Sequence, residues 1–172
     1  SRFAWGDNKF FIGKSKEDGE FDILLFAGRK IKGAVAIPAS IRYIGARAFQ
    51  WGEKIQSVSF NTIQLEEIGY GAFNNCINLE KVVNIPATLK VADFGCFCGD
   101  TKLSEVSFEG ENILLRQDSF SRCLALSTFS LPNAMNVTID LHAFHDSNAN
   151  FTIYVPLWAE INGQGASEVE SR

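Results

Sequence analysis

The sequence predicts a β-rich solenoid of the α/β type. It has about six coils of roughly 23–24 residues each, a repeat length typical of stacked units. One face carries a parallel β-sheet, and the crossovers are mostly irregular or short 3-10 pieces. Three observations predict it. A phenylalanine recurs at Phe26, Phe49, Phe73, Phe97, Phe120 and Phe144, at an interval that varies by no more than one position. Other apolar columns keep the same step. A unit of this length is too short to enclose a core, so successive units must stack and share one.

The columns are read relative to the phenylalanine. Five positions before it stand Phe21, Ile44, Ile68, Ala92, Leu115 and Ile139, and directly before it Leu25, Ala48, Ala72, Cys96, Ser119 and Ala143. The second set is mostly small, as expected beside a stacked ring that claims the space. Six positions after it stand Lys32, Ile55, Leu79, Leu103, Leu126 and Asn150, and nine after it Val35, Val58, Val82, Val106, Phe129 and Ile153. The polar residues at the two ends of the leucine column fit the atypical terminal units of a solenoid.

Residues 1–20 fall outside the repeat. Phe3, Trp5, Phe10, Phe11 and Ile12 precede a polar turn. They are expected to cap the first coil, with a hairpin around Asp18-Gly19 joining Phe10-Phe11-Ile12 to Phe21-Asp22-Ile23. Residues 21–156 form the array. In each unit the stretch typified by Leu103-x-x-Val106-x-Phe108 ends in the period-2 alternation of a strand. One strand per coil pairs in parallel with its neighbours, and the rest of the coil is the crossover. All four prolines, Pro38, Pro86, Pro132 and Pro156, stand at strand exits, where a missing N–H ends the ladder. Residues 157–172 are expected to cover the last coil and then fray from Asn162 onward.

Charge and composition exclude some functions. The net charge is −4, but residues 1–60 carry ten Lys/Arg against six Asp/Glu, and residues 61–172 six against fourteen. That is +4 against −8, an asymmetry able to orient a partner. No basic run marks a nucleic-acid footprint. No apolar run reaches the roughly 20 residues of a membrane span. Cys76 and Cys123 share a column two coils apart, roughly 9–10 Å, too far for a disulfide. Cys96 faces in and Cys98 out, so four free thiols are expected. No zinc site is expected, because the columns do not converge. His142 and His145, beside Asp140 and Asp146, are expected on an exposed loop without a metal. No nucleophile–base pair or phosphate loop is present, so no enzyme and no cofactor is expected. Two sequons, at Asn136 and Asn150, would matter only in a secreted eukaryotic protein.

The unit Ile68-Gly69-x-x-Ala72-Phe73-x-x-Cys76-x-x-Leu79-x-x-Val82, and Ile37-Pro38-x-x-Ile41-x-x-Ile44-Gly45-x-x-Ala48-Phe49 before it, resemble the BspA-type leucine-rich repeat. The resemblance covers residues 21–156. Ala92-Asp93 and Leu115-Arg116 depart from its Ile-Gly, and Asp100 and Ser147 from its Cys. It implies a right-handed leucine-rich repeat solenoid. It also implies an extracellular or cell-surface location and a non-enzymatic role in adhesion, with a protein or glycan as ligand. The alternative is a structural spacer or an intracellular interaction scaffold. No binding residue carries over, because the motif positions are core positions. The candidate binding surface comes instead from strand alternation: Ala34 and Ala36, then Ser57, Ser59, Lys81, Val83, Glu105, Ser107, Thr128, Ser130, Thr152 and Tyr154 form an outward stripe. Trp51 is a second candidate anchor.

Overall fold

The computed structural model describes residues 1–6, 9–17, 19–28 and 30–165. Its sixteen strands are β1 (Phe3–Gly6), β2 (Phe10–Gly13), β3 (Ile23–Ala27), β4 (Gly33–Ile37), β5 (Tyr43–Ile44), β6 (Ile55–Phe60), β7 (Glu67–Ile68) and β8 (Lys81–Val83), followed by β9 (Val91–Ala92), β10 (Glu105–Ser107), β11 (Asn112–Leu115), β12 (Thr128–Ser130), β13 (Asn136–Ile139), β14 (Thr152–Tyr154), β15 (Glu160–Ile161) and β16 (Gln164–Gly165). They form two sheets. The six-stranded sheet runs β14-β12-β10-β8-β6-β4, and the ten-stranded sheet β1-β2-β3-β5-β7-β9-β11-β13-β15-β16.

The six-stranded sheet is the predicted ladder, one parallel strand per coil. Its register aligns Val35, Val58 and Val82, and separately Val106, Phe129 and Ile153. The crossovers are mostly irregular and turn-rich, as expected. Each contains a short extended piece, and these pieces pair in parallel into the second ladder, through Ile44, Ile68, Ala92, Leu115 and Ile139. No 3-10 helix occurs among the described residues. The core lies between the two ladders.

Through the core runs the ring stack. Phe49, Phe73, Phe97 and Phe120 lie with successive centroids 4.7, 5.2 and 5.1 Å apart and planes within 16° of parallel. Phe144 continues the stack at 5.7 Å. Around each ring the backbone turns tightly. The N–H of Phe49, Phe73, Phe97 and Phe120 donates to the carbonyl of Ala72, Cys96, Ser119 and Ala143, at 2.7–2.8 Å. Two residues per turn take a left-handed backbone. Two before the phenylalanine these are Arg47, Gly71, Gly95, Asp118 and His142, and two after it Trp51, Asn75, Gly99, Arg122 and Asp146.

The first coil departs from the predicted alignment. The residue whose N–H donates to Ala48 is Ala27, not Phe26. Leu24, not Phe21, pairs with Ile44. Gly33, not Lys32, pairs with Ile55. Phe26 is therefore 44% exposed and outside the stack. Phe10 of the cap fills the place left above Ala27, buried against Phe49 at 6.1 Å in an edge-on contact. The coil is shorter here: Ala27 stands three positions after Leu24, whereas Phe49 stands five after Ile44.

The substitutions at the Ile-Gly pair do not break regularity. Gly45 and Gly69 lie so close to the preceding coil that a Cβ would meet a carbonyl oxygen at 2.9 and 2.6 Å. Asp93, Arg116 and Asp140 hold the same place and still donate their N–H to the preceding coil, each at 2.9 Å. The ends are closed by antiparallel pairs in the ten-stranded sheet, β1-β2-β3 at one and β15-β16 at the other. Chain expected to fray from Asn162 instead turns back, and Ile161 pairs with Gln164. The remainder of that expected tail, residues 166–172, lies outside the described residues, as does Asp18 of the expected first hairpin turn.

Candidate binding surface

Sheet alternation places the predicted stripe on the outer face of the six-stranded sheet. Its first row runs through Ala34, Ser57, Lys81, Glu105, Thr128 and Thr152 in ladder register. The second row places Ala36 beside Ser59 and Ser59 beside Val83, then Ser107 beside Ser130 and Ser130 beside Tyr154. Between the rows the strands point inward: Val82, Val106 and Phe129 are buried between their exposed or half-buried neighbours. The rows are uneven. Lys81, Val83, Glu105, Thr152 and Tyr154 are exposed, whereas Ser57, Ser59, Ser107, Thr128 and Ser130 are half-buried. Short hydroxyl side chains thus form a shallow floor between one mixed-charge pair, Lys81 beside Glu105, and one aromatic, Tyr154, 57% exposed. Ser107 Oγ donates to Glu109 at 2.8 Å, which ties the floor to the strand exit.

Trp51 lies elsewhere, on the turn after Phe49. It is 62% exposed, has φ 61°, and lines a groove of about 550 Å³ with Phe26, Arg47, Gln50 and Glu53. A left-handed backbone is uncommon for a bulky side chain. Sequence reading misses another exposed set on the turns, Tyr70 and Phe94, each under a guanidinium: Arg47 over Tyr70 at 5.2 Å and Arg116 over Phe94 at 5.7 Å. Its signal is a column three before the phenylalanine, interrupted by Ala46 and Gln117.

Polar side chains and thiols on the turns form a ladder from coil to coil. Three positions after each phenylalanine stand Gly52, Cys76, Asp100, Cys123 and Ser147. Cys76 Sγ, Cys123 Sγ and Ser147 Oγ donate to the carbonyls of Phe49, Phe97 and Phe120, at 3.2, 3.3 and 2.6 Å. Asp100 fills the same column: its Oδ1 accepts the Cys76 N–H at 2.8 Å, and its Oδ2 has no partner among the described residues. Burial pushes the Asp100 carboxyl well above the usual carboxylate range. Burial first, and the neighbouring Asp100 second, push the Cys76, Cys96 and Cys123 thiols up as well. All four cysteines are free thiols, Cys98 half-buried rather than outward. This column ties each coil to the one before; Cys76, Asp100 and Cys123 are buried in it, and Ser147 is half-buried.

His142 and His145 lie on the turn around Phe144, their rings 5.1 Å apart and edge-on, with His145 Nδ1 3.3 Å from Asp146. No cluster of three or more metal-ligating side chains forms among the described residues. Nor do those residues form a helix long and apolar enough to cross a membrane.

Comparison with known proteins identifies the repeat. The chain resembles a leucine-rich cell surface protein of Faecalibacterium prausnitzii, with 20% identity and a TM-score of 0.73 over 98% of this chain and 41% of that one. It resembles the leucine-rich repeat protein of T. pallidum, with 20% identity and a TM-score of 0.65 over 78% of this chain and 71% of that one. The pneumococcal vaccine antigen PcpA is similar too, with 16% identity and a TM-score of 0.64 over 93% of this chain and 42% of that one. At these identities the likeness is one of fold. This chain spans less than half the length of the first and third of these proteins. No curated protein matches the sequence. The family model described as a BspA type leucine-rich repeat region matches residues 24–150 in six copies, a span beginning at the Leu24 that opens the second ladder. The chain belongs to the BspA-type leucine-rich repeat family, whose repeats generally serve as protein-interaction modules.

Proposed function

We propose that this chain is the non-enzymatic binding module of a secreted or cell-surface protein and works in adhesion, holding a protein or glycan on the outer face of the six-stranded sheet. The observation that supports this reading is the stripe itself: rigid strands hold side chains in two straight rows while the core takes the repeat-motif positions. A flat floor of hydroxyl groups flanked by Lys81, Glu105 and Tyr154 offers hydrogen bonds, one ion-pair partner of each sign and one stacking ring. The surface location rests on likeness to a protein described as a cell surface protein. The test is a Lys81→Ala, Glu105→Ala, Tyr154→Ala triple variant, assayed for binding to host-cell surfaces and glycan arrays. These side chains are exposed, so the variant keeps its fold, and binding is expected to be lost. A variant that binds every parent ligand equally well sinks the strand-face assignment.

A further inference from the structure

We propose that the open edge of the six-stranded sheet at the first coil is a docking slot for an extended acidic segment of a partner protein, which adds to β4 as a further strand.

The slot follows from the unequal length of the two sheets. Among the described residues, the ten-stranded sheet continues at the first coil past β3 through β2 and β1, whereas the six-stranded sheet stops at β4. The cap therefore overhangs β4 by two strand widths, roughly 9–10 Å. Beside the overhang is a recess of about 640 Å³, lined by Lys9, Phe10, Lys30, Lys32, Ala34 and Ala36 among others. Volumes of roughly 300–1,000 Å³ are those of ligand sites.

The edge is ready to pair. Gly33 donates its N–H to the Lys54 carbonyl at 2.7 Å, and the Ile37 carbonyl accepts from Asn61 at 3.2 Å. Counted back from Ile37 by the alternation of a parallel ladder, Val35 turns its backbone groups to β6, and Ala34 and Ala36 turn theirs to the recess; Gly33, with φ 68°, lies across a register shift from Ala34. A methyl is the whole of each side chain, so nothing bulky stands beside an incoming backbone. Strand addition of this kind draws affinity from main-chain hydrogen bonds.

Charge selects the occupant. Three lysines line the recess, and residues 1–60 carry +4. Lysines on an edge discourage indiscriminate pairing, and here they favour an acidic strand over a neutral or basic one. A second copy fits less well. Its own N-terminal end carries the same positive charge. Its far end, at β14, is overhung by β15 and β16, so two overhangs would meet before the two edges could.

The test uses an N-acetylated peptide of alternating Glu and Thr, five of each, followed by fluorescence anisotropy and by amide hydrogen exchange. The acidic peptide is expected to bind, with new protection at the Ala34 and Ala36 amides. A Lys-for-Glu peptide, and one with alternate amides N-methylated, are each expected to bind about tenfold more weakly or worse. Ala36→Pro removes an N–H that the fold does not use and is expected to weaken binding by a similar factor. The Lys81, Glu105, Tyr154 triple variant is expected to bind the peptide as the parent does, which separates this slot from the strand face. Equal binding of the N-methylated peptide would reduce the interaction to charge adsorption and overturn the proposal. So would unchanged exchange at Ala34 and Ala36, a readout that needs no variant to fold. Protection of those amides without peptide, rising with protein concentration, would make the occupant a second copy and overturn it equally.

Discussion

The first coil and the central coils solve the same packing problem differently. In the centre a ring from each coil lies flat on the next, as Phe73 does on Phe97. In the first coil the equivalent residue is Ala27, and the ring above Phe49 comes from Phe10, a residue seventeen positions earlier that meets it edge-on. The lesson is that the stack needs a ring at each level but not from a fixed column. A terminal level has no coil above it to fix the geometry, so the cap supplies the ring, and the coil's own phenylalanine, Phe26, is released to the surface.

Removing the ring from each kind of level breaks the comparison most directly. Phe97→Ala leaves a void between two flat-packed rings and is expected to cost about 3–5 kcal/mol. Phe10→Ala opens a void with the core on one side only and is expected to cost less, about 2–3 kcal/mol. Phe26→Ser, at the column position that sequence periodicity marks as core, is expected to stay within about 0.5 kcal/mol of the parent. Urea denaturation of the three variants orders them; a large loss for Phe26→Ser would restore it to the stack.

A smaller effect sharpens the comparison inside the central coils, which are regular in geometry but not in chemistry. Asp100 stands where Cys76 and Cys123 stand in their own coils, and burial pushes its carboxyl well above the usual carboxylate range. In the unfolded chain it ionises from about pH 4 upward. Folding then takes up a proton, so stability is full below that pH. It falls as pH rises toward the elevated folded value, by at most about 1.4 kcal/mol per unit. Asp100→Asn is expected to flatten that slope between about pH 4 and 7, measured as the urea midpoint against pH. An unchanged slope would show that the carboxyl is ionised in the fold.

The central architecture was legible because side chains one repeat apart in the sequence meet in space. Ile68, Ala72, Phe73, Cys76, Leu79 and Val82 are all buried, as the repeat requires. The first coil was not legible. Its shortening moves Ala27 into the place of Phe26, and an exposed phenylalanine reads like a buried one in a column of phenylalanines. The second ladder was hidden because pieces as short as Tyr43–Ile44 give no alternation to read. The left-handed turn positions were not legible, because the glycines at Gly71, Gly95 and Gly99 alternate with Arg47, Trp51 and Arg122, which accept the same backbone at a cost of roughly 1–2 kcal/mol each. On the strand face, alternation placed every outward residue, but which of them stand clear of their neighbours depends on side-chain length across the ladder. The recess at β4 depends on where two sheets end relative to each other, which no single stretch of sequence records.

The repeat interval also sets how the chain finds this structure. Arg42 reaches Glu66, Gln50 reaches Asn74 and Asn136 reaches Asn112, each one interval away along the chain. These ties join each coil to its neighbour through a loop of about one coil, and none of them reaches a distant part of the chain. The entropy of closing such a loop is nearly the same at each step. A nucleus formed by any two adjacent coils can therefore extend in either direction without waiting for the ends to meet.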